Sequence, residues 1–457
     1  NHPELIMLLR EMIERRQLEP LGGGYYAPVL PIIPALDRVG QIEKLTTALR
    51  VRLGTRPRGV WLSDCVWEPS LPHTLARSGM EYTFLDRSQF VTAGVRGDAL
   101  YRAHLTEDEG RVLTVIPIHF RISQLMESST PEDALKTLVS TCSGAGERVV
   151  VVVDEPDQIR DYRWLEGFLR LIDDDHHILP TTPRAYLRRH GTQGFVYIDC
   201  GIAVGCQSVL AEGAPKHSNT SVQDASVNSG LFRRQLSSCA DSRLLYAKMF
   251  HSSLLVNQVR GDREKRRAAR EDLWRGQCGH AYWNRPGGGI SSRRTRDAAY
   301  ASLLRAEVQA RDGTSFMPSI IRADHDMDGV SELLYHSRIY NAYVHTVGGM
   351  LFELDYLPCS VNFMNTLTPN VSRVRGSTGK YLRRGFLDHF LPTVPTVSGY
   401  ISGFQSETNS VTDPYVVTAF EDDRLTLLRS GLLIPKEGST VVSSADLRKS
   451  YRFRARS

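Results

Sequence analysis

Pro57-Arg58-Gly59-Val60-Trp61-Leu62-Ser63-Asp64-Cys65-Val66-Trp67-Glu68-Pro69 is the stretch on which the reading of this chain turns. An apolar run of strand length, Gly59 to Leu62, delivers a carboxylate, a tryptophan and a second carboxylate, and Pro69 then ends it. In barrel-type α/β folds the C-terminal ends of parallel strands are where chemistry is placed. The competing reading is an ordinary buried strand with a charged exit.

Neighbouring segments favour a sheet. EYTFLD (81–86) and VLTVIPIHF (112–120) read as strands, and GFVYID (194–199) as a closing strand. The five consecutive valines 149–153 predict a strand buried on both faces, as in parallel sheets, and it too ends in acids, Asp154 and Glu155. Between these lie helical patterns: 3–17 with Leu5, Ile6, Leu8, Leu9, Met12 and Ile13 on one stripe, 36–53 before Gly54, 71–79 closed by Gly79, 131–140 and 161–172. Alternating β and α elements imply an α/β domain with a parallel sheet or barrel. Residues 208–228 are rich in Ser, Asn, Ala and Gly, a linker composition, and 230–310 read as helical, interrupted at GHAYWNRPGGGIS. Beyond Arg311 short strands between turn signals (VSELLYH, YNAYVHTV, MLFELDYL, PYVVTAF, LTLLRSGLLI) predict an antiparallel β-sandwich. The expected domains are 1–205, 206–312 and 313–457.

The bulk properties narrow the function classes. A chain of 457 residues with 41% hydrophobic and 23% charged content has the composition of a soluble globular protein. A net charge of +5 over that length is mild. The basic residues near Arg263–Arg270 and in the tail read as solvated faces, so no nucleic-acid partner is expected. No run of about 18 apolar residues marks a membrane span. Seven scattered cysteines without CxxC spacing point to reduced thiols and a cytoplasmic setting. Asn1 falls inside a helical pattern without an initiator Met, as in a chain whose true N-terminus lies upstream.

Two acid-ended strands far apart in sequence, at Asp64 and at Asp154-Glu155, are what a retaining glycosidase needs. One carboxylate attacks the anomeric carbon while the other protonates the leaving oxygen, the pair standing about 5 Å apart. Trp67, Trp164, Tyr25, Tyr26, Tyr282 and Trp283 fit as sugar platforms, although for any one of them core burial is the simpler reading.

A resemblance sharpens this. GVWLSDCVWEPSL resembles the nucleophile segment of glycoside hydrolase family 57, the 4-α-glucanotransferase and α-amylase group, whose pattern is GVWL-x-E-x-x-W-x-P-x-L. LGGGYYAPVL resembles its GGGYYEPVL segment, RVVVVVDEPDQIRDYRW its acid/base segment, and RGQCGHAYWNRPGGGI its Q-C-N-D-A-Y-W-H-G-x-x-G-G-I segment. MDGVSELLYHS and YLRRGFLDHFLP resemble pieces of the C-terminal β-domain of the glucanotransferase branch. The resemblance implies an incomplete (β/α)7 barrel, a helical domain and a β-sandwich, an α-1,4-glucan or maltooligosaccharide as partner, and no metal or organic cofactor. By residue it implies Asp64 as nucleophile, Glu155 as acid/base and Asp154 as a tuning carboxylate. Tyr25, Tyr26, Trp67, Glu68, Trp164, His280, Tyr282 and Trp283 would then line the sugar site.

The departures fall at the reacting centre. The family's nucleophilic Glu is Asp64 here and its acid/base Asp is Glu155. The glycine-loop Glu is Ala27, the Asn-Asp pair is Gly279-His280, and the His after the tryptophan is Asn284. The family's His-Gln-Pro strand has no counterpart in this chain. Two readings follow: a reciprocal swap that conserves the reach across the sugar, or a decayed centre with catalysis weak or lost, leaving a binding or scaffold protein. A barrel lacking its first strand would expose an edge and invite association into a homo-oligomer.

Asp324-His325-Asp326-Met327-Asp328-Gly329 begins like a calcium loop, with oxygen ligands at alternate positions and then glycine. Position twelve is Tyr335 rather than Glu, and we read an Asp/Gly turn. Cys278 and His280 have no third zinc ligand nearby in sequence, and His251, His345 and His389 read as core or surface histidines.

Overall fold

The computed structural model describes residues 2–119, 129–143, 148–153, 162–202, 232–285, 288–312, 316–366, 384–390, 396, 411, 413–435 and 442–454. They form two compact units, Asn1–Arg234 and Gln235–Ser457.

The first unit opens with α1 (Pro3–Glu14) and α2 (Ala35–Leu53), the latter ended by Gly54 in the left-handed region. Arg10 Nε donates to Arg52 O at 2.8 Å, tying α1 to the end of α2. No residue of α1 is fully buried: of the stripe read in the sequence Ile6, Leu9, Met12 and Ile13 are half-buried, whereas Leu5 and Leu8 are exposed. The sheet holds β1 (Gly59–Val60), β2 (Tyr82–Asp86), β3 (His104–Asp108) and β4 (Arg111–Ile118) in the order β1-β2-β4-β3. β1 with β2 and β2 with β4 are parallel, whereas β3 and β4 form an antiparallel hairpin. Single parallel bridges, Gly22 to Val60, Ile118 to Val151 and Leu105 to Phe195, extend the pairing at the flanks. The valine run and GFVYID, expected as full strands, are therefore each held by one parallel bridge among the described residues.

β2 is buried along its whole length, as a central parallel strand should be. Gly59 is required by β2: a Cβ there would lie 2.2 Å from the Tyr82 ring. Tyr82, Phe84, Ile116 and Ile118 share a core with Cys65 and with Tyr186 of a later helix, Pro183–His190. Each such large apolar side chain contributes about 1.5–3 kcal/mol by leaving water. The short helices Leu71–Arg77 and Arg87–Thr92 follow β1 and β2, and the helices Pro131–Cys142 and Tyr162–Asp174 pack Ala134 and Leu138 against Phe168.

The second unit begins with long helices, Ala240–Gln258, Arg263–Gly276 and Arg293–Arg311, with a tight turn over Gly279–Gly289 between the last two. Five antiparallel strands follow in sequence order: β7 (Ser319–Ala323), β8 (Glu332–His336), β9 (Tyr340–His345), β10 (Met350–Tyr356) and β11 (Val361–Asn362), with β5 (Asn284–Arg285) and β6 (Gly288–Gly289) making a separate hairpin upstream. A three-stranded sheet, β12 (Val416–Glu421), β13 (Arg424–Pro435) and β14 (Val442–Arg452), faces the five-stranded one. Leu333, Tyr335, Val344 and Leu351 of the first sheet pack on Leu425 and Leu427 of the second, with Phe453 just past β14. That packing is the expected β-sandwich. The architecture is thus mixed α/β, with a barrel-like parallel sheet, a helical region and C-terminal antiparallel sheets.

Candidate functional site

Parallel register sets the edge on which a site can be built. Val60 pairs with Thr83, and Asp86, the last residue of β2, pairs with Ile118, the last of β4. Asp86 at the end of β2, Asp64 beyond β1 and His119 just past β4 therefore lie toward one C-terminal edge. Asp64 is half-buried in a 3-10 turn, Ser63–Cys65. Asp64 and Cys65 both carry positive φ, 54° and 48°. Two successive non-glycine residues in the left-handed region cost free energy, on the order of 1–3 kcal/mol each, and such strain clusters at ligand-binding positions.

Asp86 caps the helix that follows it: its Oδ1 accepts from Ser88 N at 2.8 Å, and Gln89 Oε1 accepts from Asp86 N at 2.9 Å. His119 stacks on Tyr101, ring centroids 4.8 Å apart, and its backbone N–H donates to Val151 O at 3.2 Å. Burial, with the Arg87 guanidinium adding to it, pulls the His119 imidazole down to about 4, so it is neutral at ordinary pH. Neither Asp86 nor His119 was singled out from the sequence. The available signal was their position as the polar exits of EYTFLD and VLTVIPIHF, the same signal that marked Asp64.

The other expected site residues fare differently. Tyr25 is 37% exposed and packs edge-on against Tyr26 at 5.0 Å, with Lys44 Nζ 4.3 Å over the Tyr25 ring. Gln41 Oε1 holds the Tyr26 backbone N–H at 3.1 Å. Lys44 Nζ also lies 5.1 Å over the ring of Tyr26, which is half-buried. Glu68 is engaged by Arg233 Nε at 3.1 Å, and Arg233 Nη2 also donates to Pro31 O at 2.9 Å, so Glu68 anchors a loop.

Trp67 is corrected from platform to core. It is 1% exposed, its indole N–H donates to Ile198 O at 3.0 Å, and its backbone pairs with Gly201. No face of the ring is left for a sugar. Trp164 is half-buried, stacks on Phe168 at 5.1 Å and donates to Ser129 O at 2.8 Å. In the second unit Tyr282 and Trp283 are buried, and Tyr282 Oη donates to Gly276 O at 2.7 Å. Their turn is locked by Gly289, whose φ is +56° and where a Cβ would meet Trp283 O at 2.0 Å. His280 is exposed, and its Nε2 accepts from Gly289 N at 3.4 Å. Asp154 and Glu155 lie outside the described residues.

Among the described residues Cys65, Cys142, Cys200, Cys239, Cys278 and Cys359 form no disulfide, and no helix is long and apolar enough to cross a membrane.

Comparison with known proteins adds to this geometry. Residues 1–199 match the family model of glycosyl hydrolase family 57. Residues 230–310 match the alpha-amylase/4-alpha-glucanotransferase middle domain, and 324–371 the C-terminal domain of the same group. Alpha-amylase 1 of Dictyoglomus thermophilum is 30% identical over 392 residues, which cover 80% of this chain and 57% of that protein. The 4-alpha-glucanotransferase of Thermococcus kodakarensis is 26% identical over 509 residues, 99% of this chain and 75% of that protein. The chain therefore spans little more than half of the first of these relatives and three quarters of the second. The crystal structure of 4-alpha-glucanotransferase from Thermococcus litoralis aligns with a TM-score of 0.81 at 25% identity, covering 99% of this chain and 73% of that one.

Proposed function

The chain belongs to glycosyl hydrolase family 57, and from that premise we propose that it recognises α-1,4-glucans at the strand-end edge bearing Asp64, with turnover weak or lost. The observation that carries this reading is the placement of Asp64 at the exit of a parallel strand, in two successive left-handed residues. Names of relatives support the substrate class: an alpha-amylase and a 4-alpha-glucanotransferase. In this reading an Asp64 oxygen attacks the anomeric carbon as the glycosidic C–O bond breaks, and Glu155 gives its proton to the leaving oxygen. Water or a second glucan hydroxyl then attacks the same carbon, returning a proton to Glu155 and freeing Asp64. Asp154 would tune Glu155, and Tyr25 and Tyr26 would carry a sugar ring.

Weak turnover follows from geometry. Aspartate is one methylene shorter than the family's nucleophilic glutamate, and a misplacement of about 1 Å costs on the order of 100-fold in rate. Because the groups of such a centre act as a unit, loss of one removes most of the effect of the rest. A second reading, a maltooligosaccharide-binding protein without turnover, is favoured by the burial of Trp67, which leaves the edge scaffolded but short of platforms.

The test is prolonged incubation of the full chain with maltotriose and maltoheptaose, with binding and products measured side by side. The expected result is saturable binding with trace disproportionation or hydrolysis products that vanish in Asp64→Asn. Binding without products would select the second reading. No binding of either sugar would overturn both.

A further inference from the structure

The connection between β7 and β8 brings carboxylates up to His345 of β9, two of them, Asp326 and Glu332, buried. Oxygens of Asp326, Asp328 and Glu332 and a ring nitrogen of His345 all lie within 4.8 Å of one another. Asp326 is 3% exposed and Glu332 is fully buried. Asp326 Oδ2 has one ion-pair partner, Arg243 Nη2 at 3.2 Å, and Asp326 Oδ1 accepts no hydrogen bond. Glu332 Oε2 accepts from His325 N at 2.6 Å, while Glu332 Oε1, beyond a long 3.4 Å approach from His345 Nε2, accepts none. Buried carboxylate oxygens without donors are expensive, and their usual remedies are a proton or a cation.

His345 decides which kind of cation fits. The Val347 backbone N–H donates to His345 Nδ1 at 3.0 Å, so Nδ1 carries the lone pair and the hydrogen-bond network assigns the proton to Nε2. An Nε2–H faces Asp328 Oδ2 and Glu332 Oε1, each at 3.4 Å, as a donor rather than a metal ligand. The ligand set that remains is all oxygen and carries three negative charges, offset by Arg243. Oxygen-only, carboxylate-rich sites suit hard divalent cations. Calcium at about 2.4 Å from its ligands tolerates oxygens up to about 4.8 Å apart, and the carboxylate oxygens of the cluster lie within that limit. Asp324 holds the loop in shape, its two oxygens accepting from Asp328 N and Gly329 N at 3.1 Å each.

We propose that Asp326, Asp328 and Glu332 form a calcium site, with His345 bracing two of the three carboxylates from behind. The sequence pattern alone argued against it because Tyr335 stands where a calcium loop keeps its last glutamate. The fold supplies that carboxylate three residues earlier, from Glu332 at the start of β8. The site closes the β7–β8 connection, independently of what happens at Asp64.

The test strips the full chain with a chelator, then follows thermal unfolding and calorimetric titration with calcium chloride, magnesium chloride and zinc chloride separately. Calcium is expected to bind with one equivalent per chain and raise Tm by several degrees, with magnesium much weaker. Asp328→Asn, at the solvent side of the cluster, should weaken calcium binding by roughly tenfold or more. Glu332→Gln should abolish the calcium response while leaving the metal-free chain folded, since it removes a buried charge rather than a partner. A stripped chain that takes up no calcium at millimolar concentration would overturn the site. So would a stabilising response to zinc alone that disappears in His345→Asn, because His345 would then be a ligand.

Discussion

The strand-end edge of the first unit and the helix–sheet junction of the second handle charge in opposite ways. At the edge, Asp64 is half-buried on a strained turn, Asp86 caps the helix that follows it, and His119 is neutral. At the junction, Lys248 is fully buried against Glu307 at 3.1 Å, Glu353 at 3.0 Å and Asp355. Arg311 pairs with Glu307, and Asn341 donates to Glu307 at 3.1 Å and Asp355 at 3.0 Å. Glu353 is driven up by burial and by Asp355, whereas Arg311 and Lys248 hold Glu307 well below the ordinary carboxylate range despite its burial. A charge committed to a closed network has no capacity left for a ligand, so the junction serves stability, whereas the edge is marked by backbone strain at Asp64 and Cys65. Lys248→Met should therefore have the largest effect of any change named here. Leaving that cluster of carboxylates around an apolar side chain costs about 3–5 kcal/mol, readable as a lower denaturant midpoint, and a midpoint unchanged from wild type would erase the contrast.

Gly59→Ala attacks the edge through its backbone. The new Cβ would overlap the Tyr82 ring, and repacking a filled core costs about 1–3 kcal/mol. Maltoheptaose affinity should fall along with stability, because the strand that delivers Asp64 must shift. The acid limb of the stability profile tests His119. Its folded pKa of about 4 lies below the usual 6.5 for an unfolded histidine, so the unfolded chain takes up a proton first. Stability contributed by neutral His119 is present above pH 6.5 and is lost as pH falls from there to about 4. His119→Phe should flatten that limb, and an unchanged limb would show that His119 is not what sets it.

The aromatic substitutions separate core from platform with the smallest effects. Trp67→Phe leaves Ile198 O without its donor and costs about 1 kcal/mol, while maltoheptaose affinity holds. Tyr25→Ala should stay within about 0.5 kcal/mol of wild-type stability yet weaken affinity several-fold. The reverse pattern would return Trp67 to the sugar site.

Particular residues show how far the sequence could be read. EYTFLD and VLTVIPIHF announced a parallel sheet, because strands in its interior need apolar residues at most positions, whereas the valine run, read as buried on both faces, is only half-buried and held by one bridge. β3 was missed because HLTED carries a single apolar residue, Leu105, and gives neither an apolar run nor an alternation. Its hairpin signal was Glu109-Gly110, two residues of positive φ joining β3 to β4. β14 was missed for a similar reason, since Ser443, Ser444, Lys449 and Ser450 give no apolar run. Asp64 was legible as a strand exit, but the burial of Trp67 was not: its hydrogen-bond partner Ile198 arrives far later in the chain. An aromatic ring beside an acid looks the same in sequence whether it packs or stacks. Likewise Glu332 stands at the ninth position of that loop spacing, but its juxtaposition with His345 of β9 shows only in the fold.

The most direct test of the central claim is a crystal structure of the full chain grown with maltoheptaose. The account predicts a glucosyl ring within hydrogen-bond reach of Asp64, with a neighbouring ring on Tyr25 or Tyr26. Saccharide ordered elsewhere, or Asp64 closed in an ion pair that leaves no space for a pyranose, would contradict it.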